Sequence, residues 1–226
     1  MTAQINISSI RFVGLLLRSS IFFACLTVLV FLLTAESASC AGGAVGVPTL
    51  AQAPVADKLP ANIDIYATAD IGGGKQCLVG AKSDADGLNE RPMVYLVGSG
   101  GKFAWHVQLP ILKGSYQGRA THCVVSTDAL YVLLQIDTYP QQNLNQGVLQ
   151  VVALNKKTGA VIASKYIDVP NVSADYTSWV EQGGDNFKLE RAKLVIKGLY
   201  ELMSERDHPS EKPPIPFTVE ISTNLR

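Results

Sequence analysis

The chain opens with one unbroken apolar stretch and then changes rhythm. Ile21 to Ala35 is a run of 15 residues without a charge. From Ile63 onward, apolar positions come in short or alternating groups divided by Gly, Asn, Asp and Pro, the pattern of strands and tight turns. Ile63-Asp64-Ile65-Tyr66-Ala67 and Cys77-Leu78-Val79-Gly80 come first, then a polar loop from Lys82 to Arg91. Met93–Val97 runs through the turn Gly98-Ser99-Gly100-Gly101 into Lys102–Val107. The scheme then repeats. Cys123-Val124-Val125 and Leu130–Ile136 precede a polar loop from Thr138 to Gly147, and Leu149–Leu154 runs through Asn155–Gly159 into Ala160–Val169. The pattern thus predicts a mainly β domain over 63–226 with two similar units, 76–110 and 122–170. With Gly101 laid on Gly159, Tyr95-Leu96 falls on Ala153-Leu154 and Phe103-Ala104 on Val161-Ile162.

The C-terminal stretch fits two periods. Leu189, Ala192, Ile196, Leu199, Tyr200 and Met203 recur at helical spacing, which makes a C-terminal helix the alternative. Leu194-Val195-Ile196 and the interrupting Gly198 favour strand. We expect a third sheet element from Phe187–Met203 and Phe217–Ser222, joined by the stiff Pro-rich loop Pro209–Pro216.

The early apolar run has the three parts of a secretory leader. Arg11 and Arg18 precede it, and small residues from Ser37 to Gly42 follow. The expectation is a signal peptide over 1–41 and a flexible spacer over 42–62, rich in Ala, Gly, Val and Pro. Two alternatives stay open. One is an uncleaved anchor, although spanning hydrocarbon takes roughly 20 apolar residues. The other is lipidation of Cys40, because Ser37-Ala38-Ser39-Cys40 partly resembles a bacterial lipobox, with Ser37 where an aliphatic residue is usual.

Charge and cysteine usage narrow the classes further. There are 19 basic and 19 acidic residues, and the mean hydropathy is +0.19. Removing the leader takes Arg11, Arg18 and Glu36, leaving a net charge of about −1. Such a chain has no electrostatic footprint for nucleic acid and is too apolar for intrinsic disorder. Of four cysteines, Cys77 and Cys123 fall in the expected folded part. In an exported chain they predict a disulfide, worth about 4 kcal/mol by loop closure.

The segment Val151-Val152-Ala153-Leu154-Asn155-Lys156-Lys157-Thr158-Gly159-Ala160-Val161-Ile162 resembles the outer hairpin of a quinoprotein-type (PQQ-like) β-propeller blade. Such blades read as an aliphatic strand, an Ala-Leu-Asp/Asn step, a Thr-Gly turn and a strand that often carries Trp. Trp105 stands at that position in the first unit and Ala163 in the second. The resemblance implies antiparallel, blade-like sheets. Closed propellers need at least about four blades, more than two units supply. A sandwich or a partial, open propeller is therefore the expected architecture, and a quinoprotein dehydrogenase is not.

Motifs for chemistry are few, and the sequence predicts no cofactor, metal or catalytic set. Gly72-Gly73-Gly74-Lys75 lacks the flanking residues of a phosphate loop and reads as a hairpin turn. Asp84-Ala85-Asp86-Gly87, with Asn89 and Glu90, reads as an Asx-rich turn before a calcium loop. Ser99 lacks the glycine two residues earlier that a nucleophile elbow requires. His122 and Cys123 are adjacent, so in a strand they point to opposite faces. Asn171-Val172-Ser173 is an N-glycosylation sequon if the chain is eukaryotic. The polar loop containing Tyr139, Pro140, Gln141, Gln142 and Asn143 is the candidate interaction surface. The function expected is a non-catalytic binding module of the cell envelope, of inhibitor, immunity or assembly type, whose partner is another envelope protein. An envelope hydrolase with a dispersed Asp/His site is the alternative.

Overall fold

Alternation along short apolar runs produces strands throughout. The computed structural model describes residues 57–139, 146–206 and 212–225. The expected leader with Cys40, the spacer as far as residue 56, and Pro140, Gln141, Gln142 and Asn143 lie outside the described residues. Twelve strands are described, in three antiparallel sheets of four, none closed into a barrel. Sheet 1 is β1 (Ile63–Gly72), β2 (Lys75–Lys82), β3 (Arg91–Val97) and β4 (Phe103–Gln108). Sheet 2 is β5 (Ser115–Val125), β6 (Ala129–Thr138), β7 (Gly147–Asn155) and β8 (Val161–Ile167). Both run up and down in chain order. Sheet 3 holds β9 (Tyr176–Trp179), β10 (Phe187–Glu190), β11 (Lys193–Leu202) and β12 (Ile215–Ser222), with the short helix α1 (Met203–Arg206) after β11. β9 and β10 share one edge of β11, pairing with its second and first halves.

Sheet 2 is the middle layer. Leu130, Val132, Leu134, Val152 and Leu154 face sheet 1, where they pack with Cys77, Val79 and Val94. Tyr131, Leu133, Leu149, Val151 and Ala153 face sheet 3, where they meet Phe187, Leu194, Ile196 and Phe217. Bulges let the first strands serve both sides. In β1 a register shift between Ile65 and Ala67 turns Ile63 and Ile65 to the outer face of sheet 1, while Ala67, Ala69 and Ile71 face sheet 2. Asp57 ties the stretch before β1 to the β3–β4 turn through bonds with Gly101 and Phe103, and Leu59 packs on that same outer face. The last residues of the expected spacer are therefore fastened down.

Sheets 1 and 2 are stitched at three levels. Cys77 of β2 and Cys123 of β5 sit at disulfide distance, their Cα atoms 6.7 Å apart. At one end Gly118 N donates to Glu90 O (2.9 Å), and Arg119 bridges Glu90 (3.6 Å) and Asp137 (3.1 Å). Tyr66 OH donates to Glu90 Oε1 at 2.6 Å. Burial first, then that bond, push the phenol up to about 12. At the other end Trp105 Nε1 donates to Lys156 O (3.1 Å), and the Trp105 ring covers Gly159. A Cβ on Gly159 would lie 2.7 Å from Trp105 Cε3, and its φ of +73° already belongs to glycine.

Three sequence expectations are corrected. Phe187–Met203 is not one element: Arg191 and Ala192 take φ values of 46° and 65° and turn it into the β10–β11 hairpin. Two successive left-handed residues are the geometry of a tight hairpin turn, and non-glycine residues gave no signal for it. The overlay of the two units slips by one before the turn. Gly98 N bonds Lys102 O, but Asn155 N bonds Ala160 O, so the second turn is one residue longer. Leu96 and Val97, not Tyr95 and Leu96, occupy the places of Ala153 and Leu154. Finally, the cysteines are not equivalent, because Cys77 lies in the second strand of its sheet and Cys123 in the first of the next.

Replacing both cysteines with Ala should lower the unfolding free energy by about 4 kcal/mol. Urea denaturation reads this, and an unchanged midpoint would refute the crosslink. Gly159→Ala should cost more than about 1 kcal/mol, since strained φ and the Trp105 clash act together.

Candidate functional site

The feature best suited to a partner is a groove of about 430 Å³ at one end of sheet 2. Leu112 from the β4–β5 connection, Val148 of β7 and Tyr166 of β8 line one part of it. Asp168, Asp175 and Tyr176, around the entry to β9, line the other. Its walls are held from both sheets. Gln146 Nε2 donates to Tyr176 O (2.7 Å), and Gly147 N donates to Thr177 Oγ1 (2.8 Å). Gly147 must be glycine for this approach, because a Cβ would lie 2.9 Å from Ser178 O. Tyr176 OH accepts Val169 N (2.9 Å), and its ring meets Tyr200 edge-on at 6.1 Å. One aromatic wall is thus locked.

Apolar surface gathers around this groove. Leu112 is 46% exposed, Tyr139 54% and Tyr166 39%. Tyr139 N donates to Gly114 O (3.3 Å), and the Tyr139 ring meets Tyr116 at 5.9 Å in an edge-to-face contact. The loop that follows Tyr139 is closed at its base by Thr138 N donating to Gln146 O (3.0 Å). Of the five loop residues proposed from sequence, Tyr139 therefore stands beside the groove, and the other four fall outside the described residues. Leu112, Tyr166 and Asp168 were missed. Tyr166 had one sequence signal, a break in alternation, since Val161, Ile162 and Tyr166 are apolar in a mostly exposed strand; Leu112 and Asp168 lie in connections and had none.

Other candidate residues are occupied structurally. Asp84 Oδ1 accepts Asp86 N (3.1 Å) and Leu88 N (2.8 Å), and Oδ2 accepts Asn89 Nδ2 (2.5 Å). Led by the Asn89 bond, these hold the Asp84 carboxyl below its ordinary range. Glu90 turns away into the Tyr66–Arg119 network, so the loop's oxygens do not converge. Gly72, Gly73 and Gly74 form the β1–β2 turn, all at positive φ. His106 stacks on Tyr95 at 5.6 Å. Among the described residues no group of three or more His, Cys, Asp or Glu is placed to hold a metal ion.

His122 is a deeply buried titratable side chain at the sheet 2–sheet 3 junction. It is 4% exposed and meets Phe187 edge-on at 6.3 Å, while Cys123 points the other way. Nδ1 lies 3.0 Å from Thr121 Oγ1, and among the described residues Nε2 has no hydrogen-bond partner. Burial pushes the imidazole below its ordinary value, and the nearby backbone of Glu181 and Gly183 opposes this only in part. The unfolded chain therefore takes up a proton below about pH 6.5 that the folded chain resists, so stability falls as pH drops. His122→Leu should flatten the loss of stability between about pH 7.5 and 5.5. Denaturation at both pH values measures it, and equal slopes in the two proteins would refute the assignment.

In comparisons with known proteins, no family model and no curated protein matches this chain, so the groove and its neighbours carry the functional argument.

Proposed function

We propose that this chain is an exported, non-catalytic binding module of the cell envelope, and that another envelope protein seats on the groove bordered by Leu112, Tyr139 and Tyr166. One observation carries the reading: two exposed large apolar side chains, Leu112 and Tyr166, line one concavity whose walls are held by inter-sheet hydrogen bonds, with exposed Tyr139 next to the Thr138–Gln146 pair at its edge. Exposed apolar patches with a rigid base mark interaction sites, and tyrosine supplies contact area at low entropic cost. The leader expected over 1–41 supports export. The Trp105 ring over the Gly159 turn supports the blade-like reading of sheets 1 and 2. The alternative, an envelope hydrolase, would use His106 or His122, yet each packs on an aromatic ring rather than a carboxylate.

Photo-crosslinking tests the site. A benzophenone side chain placed at Leu112 in the full-length protein should capture one partner in its own envelope extract. The same group at Thr218, on the far face of sheet 3, should not. Equal capture at both positions, or none at Leu112 with turnover of a substrate panel, would overturn the proposal.

A further inference from the structure

We infer that the groove is built for a cationic side chain, so that the partner presents an extended segment carrying Arg or Lys there. This deepens the binding proposal and rests on it. The groove contains two carboxylates, Asp168 and Asp175, and among the described residues no basic residue lines it. Both are exposed, and among the described residues neither is ion-paired. Four carboxylates elsewhere in the domain have cationic partners: Glu90 and Asp137 share Arg119, Asp185 meets Lys188 and Glu220 meets Lys193. The pair at the groove is left facing whatever enters.

The remaining walls fit the rest of such a side chain. Leu112 and Val148 offer apolar surface for a methylene stem. Tyr166, 39% exposed, brings an aromatic ring on which a guanidinium can stack. An acidic partner segment would be repelled, and a neutral one would leave both carboxylates without a counter-charge. A volume of about 430 Å³ is near the lower end of the ~300–1,000 Å³ typical of ligand pockets. It suits one or two side chains of a strand-like segment rather than a folded surface.

The test uses full-length protein and labelled hexa-arginine, with hexaglutamate as counter-probe, read by fluorescence anisotropy. Hexa-arginine should bind and hexaglutamate should not. The double variant Asp168→Asn with Asp175→Asn should weaken hexa-arginine binding at least about tenfold, the scale of a charge-assisted contact. A control with Asp64→Asn and Asp86→Asn, two exposed carboxylates elsewhere, should leave it unchanged. Equal binding by the groove variant and the wild type overturns the inference, as does equal weakening in the control. The two proposals fail separately. If Leu112 still captures its partner while the groove variant binds hexa-arginine normally, the cation is wrong and the binding site stands. If hexa-arginine behaves as expected but Leu112 captures nothing, the cationic site stands without the envelope partner.

Discussion

Everything in this fold follows from burying both faces of sheet 2. A sheet covered on both sides needs strands that are apolar at every position, and β6 and β7 read that way, as Leu130–Leu134 and Leu149–Leu154 with the single polar interruption of Gln150. Each face then demands a partner sheet. Odd-numbered residues of β6 meet sheet 3 and even-numbered ones meet sheet 1. Each outer sheet turns one apolar face to sheet 2, and the architecture has to end at their other faces.

The two ends are closed by different physics. On the outer face of sheet 3, Lys188, Lys193, Lys197 and Glu220 stand on cross-paired strands, with Lys193 and Glu220 2.8 Å apart. That face is content in water and presents no surface for a fourth sheet. On the outer face of sheet 1, Leu78, Met93, Tyr95 and Val97 are apolar. There the bulge in β1 swings Ile63 and Ile65 over them, and the segment from Asp57 crosses with Leu59. A repeat architecture needs polar or covered terminal faces to stay soluble. This chain uses charge at one end and its own strand at the other.

The sequence was legible where a single strand decides the outcome. Continuous runs such as Leu130–Ile136, alternation such as Phe217–Ile221 and the Thr158-Gly159 turn each carry their information locally. What could not be read depends on pairing. The β10–β11 turn uses Arg191 and Ala192 at positive φ because the two flanking strands have enough inter-sheet burial to override the backbone preference. The bulge between Ile65 and Ala67 reverses which face each side chain serves, so odd residues on either side of it have opposite neighbours. No periodicity can announce that reversal.

The same distinction explains the groove. Tyr139 was legible because a long polar loop is visible in one strand of text. Leu112, Tyr166 and Asp168 were not, because an edge is defined by the strand that is missing beside it. Among the described residues β8 pairs only with β7 and Tyr166 is 39% exposed, whereas the similar ring of Tyr131, one strand further in from β7, is 6% exposed. The groove exists because the middle sheet, buried along β6 and β7, runs out of cover at its β8 edge. Its carboxylates come from the chain that leaves β8 and enters β9, which has to cross from sheet 2 to sheet 3 there. A connection forced by the stacking thus places two charges beside an uncovered apolar edge. The proposed binding site is accordingly a product of how the layers are joined rather than of any motif within a layer.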